Sequence, residues 1–295
     1  MTIPVRITAV SYLNTLPFIY GIEQRVAVSS SASRCAAVPE AGRLLAGGDI
    51  ALSLEVPSLC AASAIAGDTD IALVPAAAVP LIPGFSFSSV PALSPDGFTP
   101  QVITDFCIGA EGPVETVVLL SDTPLCDVRR VYLDSHSRTS VQLVRVLARE
   151  HWRIGPQWVD FADCGSAAAA GRGLEYGEAM VAIGDKVFAL KAAHRYAYCF
   201  DLAEEWAALT GGLPFVFAAW VACTRAGLEY APRLNEALAY GVEHVAESIT
   251  ETVNRSRDFD FDEAYRYLTC SIKFSLDDRK RRAMHLFWEK IISPG

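Results

Sequence analysis

The run Val5-Arg6-Ile7-Thr8-Ala9-Val10 and the residues that follow it constrain this chain most. A short β-branched, apolar run of this length reads as a strand. It ends in a polar loop, Ser11, Asn14 and Thr15 interleaved with Tyr12 and Leu13, and Pro17 then opens an apolar segment through Gly21. Proline suits the first turn of a helix, so the whole stretch predicts strand, loop and helix start. In an α/β fold that unit forms a small-ligand cradle, because the loop leaves the carboxyl end of the strand and the helix presents free N–H groups. The same pattern also suits an ordinary βα turn capped by Asn14 or Thr15, and the local sequence leaves both readings open.

The alternation continues. Ile50–Val56 predicts a strand, Pro57-Ser58 starts a helix over Leu59–Ala66 that Gly67 stops, and Asp70–Pro75 reads as a buried strand. Such βαβ order predicts parallel sheet. Further strands are expected at Val102–Ala110, Val114–Leu120, Val131–Asp134, Trp158–Phe161, Ala179–Ile183 and Leu213–Trp220. Helices are expected at Val141–Glu150, Ser166–Gly171, Leu202–Leu209 and through most of Pro232–Ile292. Residues 26–48, rich in Ser and Ala, predict irregular surface structure or a weak helix around Ala41–Leu45. Prolines 80, 83, 91, 95 and 100 mark a long surface loop. Glu111-Gly112-Pro113 and Gly211-Gly212-Leu213-Pro214 are breakers followed by apolar strands, as hinges between two lobes would be.

Composition excludes several classes of function. A net charge of −9 argues against a general nucleic-acid binder. No run approaches the roughly 18 apolar residues of a membrane span, and Met1–Arg6 leads straight into strand without a secretory apolar region, so a cytoplasmic location is expected. Eight cysteines and five histidines are dispersed without CxxC, HxxxH or HExxH spacing, which gives metal or disulfide chemistry no support. No cofactor is expected.

Four segments taken together, Ser11-Tyr12-Leu13-Asn14-Thr15-Leu16-Pro17, Asp70–Pro75, Asp134-Ser135-His136-Ser137-Arg138-Thr139-Ser140-Val141 and Leu213–Ala218, resemble in order and character the chorismate dehydratase family of the futalosine route to menaquinone. Cys107–Val114 and Ile183-Gly184-Asp185-Lys186 resemble it too. The likeness spans most of residues 5–222. It departs at residues 26–48 and 85–104, which are longer than expected, at the pair Gly211-Gly212, and at Thr116, where a serine is expected.

The resemblance implies an α/β, two-lobed periplasmic-binding-protein-like (type II) fold, with a mostly parallel sheet in each lobe and an interlobe cleft. Residues 1–110 plus 215–295 would form lobe 1 and 111–214 lobe 2, with hinge crossings near 109–115 and 212–216. It implies a cofactor-independent hydro-lyase acting on chorismate, a dianionic small molecule; oligomeric state is left open.

In that reading Asn14 is the catalytic candidate, since its amide can donate and accept but is a poor general base. The substrate's own enolpyruvyl carboxylate would take the proton. Ser137, Arg138, Thr139 and Ser140 would clamp a carboxylate at a helix start, although the same residues also make a capping box with a surface arginine. Ser11, Thr15, Ser58, Thr116 and Asp185 complete the expected binding residues, and His136 is set aside because nothing in sequence pairs with it. Two alternatives stand beside this: a non-catalytic small-anion binder of the same fold, and 1,4-dihydroxy-6-naphthoate synthase of the same pathway.

Overall fold

The first apolar run becomes the middle of a sheet. The computed structural model describes residues 4–25, 43–47, 49–86, 97–134, 137–160, 173–253 and 260–292. Strand β1 (Val5–Val10) lies between two parallel neighbours, later strands of the chain, with Ile7 opposite both Leu52 and Ile71. A strand flanked in this way and covered on both faces must be apolar nearly throughout, which is why the run was legible.

In chain order the remaining strands of this sheet are β2 (Arg43–Gly47), β3 (Ile50–Glu55), β4 (Ile71–Pro75), β5 (Gln101–Ala110), β11 (Phe215–Ala222) and β12 (Lys273–Ser275). A second sheet holds β6 (Val117–Ser121), β7 (Arg130–Leu133), β8 (Gln157–Asp160), β9 (Glu178–Ile183) and β10 (Tyr198–Asp201). Among the described residues the orders are β12-β5-β11-β4-β1-β3-β2 and β10-β6-β9-β7-β8. The chain leaves the first sheet at Ala110 and returns to it at Phe215. Gly112 (φ 145°), Gly211 (φ 70°) and Gly212 (φ 94°) lie in these two passages, in backbone conformations that cost glycine no Cβ clash.

The helices are α1 (Leu16–Arg25), α2 (Pro57–Ala66), α3 (Arg138–Leu147), α4 (Lys186–Ala193), α5 (Leu202–Thr210), α6 (Arg225–Glu243), α7 (Val245–Val253), α8 (Phe261–Arg266) and α9 (Asp278–Ile292). Helix α1 packs so closely on α6 that a Cβ on Gly241 would lie 1.8 Å from the Pro17 carbonyl oxygen. Trp288 of α9 reaches back to donate to the Ala76 carbonyl at 2.8 Å, tying the end of the chain to the turn after β4.

Both sheets are mixed in direction, which corrects the expectation of mostly parallel ones. The pairs β1–β3, β1–β4, β7–β8 and β7–β9 are parallel; the others, β5–β11 among them, are antiparallel. A strand that returns beside its neighbour needs no crossover helix, so β5 and β11, which carry the chain out and back, run antiparallel. Residues 43–47 are a strand and not a weak helix, because the open edge of β3 supplies hydrogen-bond partners that local composition does not reveal. The expected strand at Val114 starts only at Val117, and the expected helix at Val141 already starts at Arg138. The short helix expected at 166–171 lies outside the described residues, as does most of the 26–48 loop.

Candidate functional site

The loops after β1, β7 and β9 and the passage 111–116 converge on one cleft between the sheets. Its polar lining is Tyr12, Asn14, Thr15, Thr116, Ser137, Thr139 and Ser140, set among Val10, Leu73, Ile108, Phe217 and other apolar groups. None of these described lining residues carries a formal charge.

The structure gathers six of the ten expected residues here. Asn14 lies half-buried in a single 3-10 turn, Leu13–Thr15, that precedes α1. Thr15 lines the cleft with a committed hydroxyl, which donates to the carbonyls of Val10 at 2.6 Å and Tyr12 at 2.7 Å and so fastens the turn. Ser137 is the N-cap of α3: its Oγ accepts from the Ser140 N–H at 3.1 Å and donates to Ser140 Oγ at 2.8 Å. Ser140 therefore keeps its own proton to donate. Thr139 donates to the Phe217 carbonyl at 3.1 Å and accepts from the Ala77 N–H at 3.3 Å, which joins α3 to the first sheet. Thr116 is fully buried and meets the Tyr267 hydroxyl at 2.7 Å.

The other four stand apart from the lining. Ser11 donates to the Glu55 carbonyl at 3.3 Å, and Ser58 sits half-buried in the first turn of α2 beside Pro57, which does line the cleft. Arg138 is exposed. Adjacent helical residues diverge by about 100°, so a phase that turns Thr139 and Ser140 inward turns Arg138 to water. Asp185 lies just behind the rim, where its Oδ2 accepts the Leu13 N–H at 3.3 Å, a bond from the second sheet's loop to the first sheet's. Burial pushes its carboxyl up to about 6, against the opposing effect of that hydrogen bond. Next to it, Gly184 (φ 67°) leaves just enough room for the Tyr12 ring, which would lie 3.4 Å from a Cβ there. His136 lies outside the described residues.

Sequence reasoning missed two tyrosines. In the sequence Tyr12 is no more than a residue interleaved with the polar groups of its loop. Burial, then the nearby Asp134 and Asp185 carboxylates, push its phenol well up, so it stays a neutral donor within the cleft. Tyr267 comes from the C-terminal third and is fully buried. Its hydroxyl lies 2.7 Å from Thr116 Oγ1, and burial outweighs the lowering effects of Thr116 and Asn14 to push its ionisation well above the usual range. No local signal marks it, since one aromatic residue after an acidic helical stretch looks like any core position.

A neutral pocket of hydroxyls, a phenol, an amide and a helix N-terminus can hold carboxylates and a ring hydroxyl through hydrogen bonds. Comparison with known proteins gives this geometry a setting. A family described as menaquinone biosynthesis matches residues 5–292. The chain belongs to that family. Among solved structures, protein AF1704 of Archaeoglobus fulgidus is similar at 14% identity and a TM-score of 0.65, covering 97% of this chain and 96% of that one. The Candida albicans CA3427 gene product, described as having the generic periplasmic binding protein fold, is similar at 12% identity and 0.57, covering 98% and 89%. A ligand-binding component of an ABC-type import system from Staphylococcus aureus is similar at 10% and 0.56, covering 99% and 91%. These likenesses show the fold alone, a periplasmic-binding-protein-like architecture with its cleft between two sheets. In this member of the menaquinone family, no helix among the described residues is long and apolar enough to cross a membrane.

Proposed function

We propose that this menaquinone-biosynthesis family member is a chorismate dehydratase, a cofactor-independent hydro-lyase that forms 3-[(1-carboxyvinyl)oxy]benzoate. The observation that carries the reading is the cleft whose described lining holds Asn14, Tyr12 and Ser140 among apolar groups and no charged residue. Chorismate brings its own base and its own driving force. One ring C–H proton passes to the enolpyruvyl carboxylate, the electron pair is held through the conjugated ring carboxylate, and the ring C–OH bond breaks. The departing hydroxyl takes up a proton and leaves as water, and the ring becomes aromatic. What the protein must add is position and hydrogen bonding. In this proposal Asn14 orients the departing hydroxyl, while Ser140, Tyr12 and the N-terminal N–H groups of α3 hold the carboxylates. No guanidinium is needed at Arg138.

Incubation of the purified protein with chorismate, followed by mass spectrometry, tests this. The expected result is loss of one water to the enolpyruvyl benzoate, abolished in Asn14→Ala. Tight chorismate binding without product would make the protein a small-anion binder instead. Turnover of a cyclic futalosine derivative would make it a 1,4-dihydroxy-6-naphthoate synthase. Near-native turnover by Asn14→Ala or Asn14→Asp would remove Asn14 from the chemistry.

A further inference from the structure

We infer that Asp185 is a positioning residue: from the second sheet it caps the turn that carries Asn14 on the first, so that this wall of the cleft takes its working shape only while the two sheets are held together. This role deepens the functional reading above and rests on it for the part played by Asn14. Asn14 is the middle residue of the 3-10 turn Leu13–Thr15. The turn is closed from within at its far end, because Thr15 donates through its N–H to the Tyr12 carbonyl at 3.0 Å and through its hydroxyl to the Val10 and Tyr12 carbonyls. Its opening N–H is not capped locally, since Tyr12, in the N-cap position, makes no side-chain cap bond. The Leu13 N–H donates instead to Asp185 Oδ2 at 3.3 Å, 172 residues away.

Asp185 can reach across because it does not cap its own helix. It stands in the N-cap position of α4, yet its backbone is helical (φ −61°, ψ −27°) and its side chain bonds no N–H of that helix. Ser137, Asp201, Thr224 and Asp260 hold the same position on α3, α5, α6 and α8 with extended backbones, and each accepts from the first turn of its own helix. An N-cap side chain folds back on its helix from the extended region; the helical backbone of Asp185 leaves its carboxylate for Leu13. Among the described residues the Leu13 N–H is the one hydrogen-bond partner of this carboxylate, a group whose ionised form burial disfavours.

The residues on either side of it hold the rest of the site. The Gly184 N–H donates to the Thr116 carbonyl at 2.9 Å. The Lys186 ammonium pairs with the Asp134 carboxylate, and the Asp134 carbonyl accepts the Ser137 N–H at 3.1 Å at the start of α3. Three consecutive residues thus tie together the passage bearing Thr116, the loop bearing Ser137 and, through Asp185, the turn bearing Asn14. The first two ties stay among the second sheet's loops and the passage that enters it, whereas the Asp185 bond crosses to the first sheet. Without that bond the Asn14 turn is fastened only to its own strand and can shift against Ser140.

Two substitutions separate the bond from the charge. Asp185→Ala removes the acceptor, and Asp185→Asn keeps one in the same place. Chorismate kcat is expected to fall about tenfold or more in Asp185→Ala with KM within about threefold, and to return to within about threefold of the parent in Asp185→Asn. Independently of any turnover, hydrogen exchange of the Leu13 amide, followed in 15N–1H spectra of the unliganded protein, is expected to run about tenfold faster in Asp185→Ala and to slow again in Asp185→Asn. Amides of the strand core such as Ile7 should not quicken with it, since an aspartate that merely stabilised the fold would let all of them exchange faster together. Asp185→Leu, close to asparagine in shape and without an acceptor, repeats the Asp185→Ala pattern and decides the matter should that variant fold poorly. Unchanged Leu13 exchange, an Asp185→Asn enzyme as slow as Asp185→Ala, or faster exchange without loss of kcat would overturn the inference. Faster exchange confined to the Leu13 turn in a protein that does not turn over chorismate would sustain the hold across the cleft while removing the proposed reaction.

Discussion

Asp185→Asn is expected to stabilise the protein above pH 6. In the fold the Asp185 carboxyl is raised from 3.8 to about 6, chiefly by burial. A group raised in this way contributes stability that is fully present below about pH 3.8 and is lost as pH climbs through about 6. At about 1.4 kcal/mol per pH unit, keeping the ionised form in place costs the native state about 3 kcal/mol at neutral pH. An amide has no such proton to lose, and its oxygen can still accept the Leu13 N–H that now bonds Oδ2 at 3.3 Å. Urea unfolding of both proteins at several pH values from 4 to 8 reads the difference directly. The two should be nearly equal near pH 4, diverge between pH 4 and 6, and differ above pH 7 by about 3 kcal/mol. That is about 1 M in urea midpoint for a slope near 3 kcal/mol/M. A difference that does not change with pH, or a variant less stable than its parent at pH 8, would refute the reasoning, since the carboxylate's bond would then outweigh its burial.

Three further outcomes follow from the geometry. Arg138→Ala should leave the chorismate KM within about twofold because the side chain is exposed, whereas Ser140→Ala, which removes a donor to a charged ligand, should raise it about tenfold; steady-state kinetics on both variants checks the pair. Gly241→Ala puts a Cβ 1.8 Å from the Pro17 carbonyl and should cost about 3 kcal/mol or more in urea unfolding, because backbone cannot give way as a side-chain tip can. Burial pushes the Cys60 and Cys107 thiols up to about 12, so peptide mapping after brief native alkylation at pH 8 should find both unmodified, while exposed Cys126 and Cys270 react.

The strands and helices that shape the site were legible because their causes are local. Val5–Val10, Asp70–Pro75 and Ala179–Ile183 are apolar in runs that only strands covered on both faces require, and each helix boundary at Pro57, Gly67 and Gly211 carries its own breaker. The motifs carrying Asn14 and Ser137–Ser140 could be found for the same reason, since a loop at a strand's end before a helix start has a recognisable composition. Strand direction was not legible in this way: β5 and β11 look in isolation like any apolar strand, and their antiparallel pairing depends on the path of the chain between two sheets.

By itself, then, the sequence determined the order of elements, the two breaker passages and the loops that supply the polar groups. Tertiary structure alone decided which of those groups face the ligand. Helix phase turns Thr139 and Ser140 into the cleft and Arg138 away from it, and the phase is set by packing of α3 against the first sheet, through the Thr139 bonds to Phe217 and Ala77. The hydroxyl that meets Thr116 in the cleft wall belongs to Tyr267, which arrives from the far end of the chain through a turn clamped by Glu115. Local propensities act over a few residues, whereas a buried hydrogen-bond chain is completed only where distant segments exclude water together.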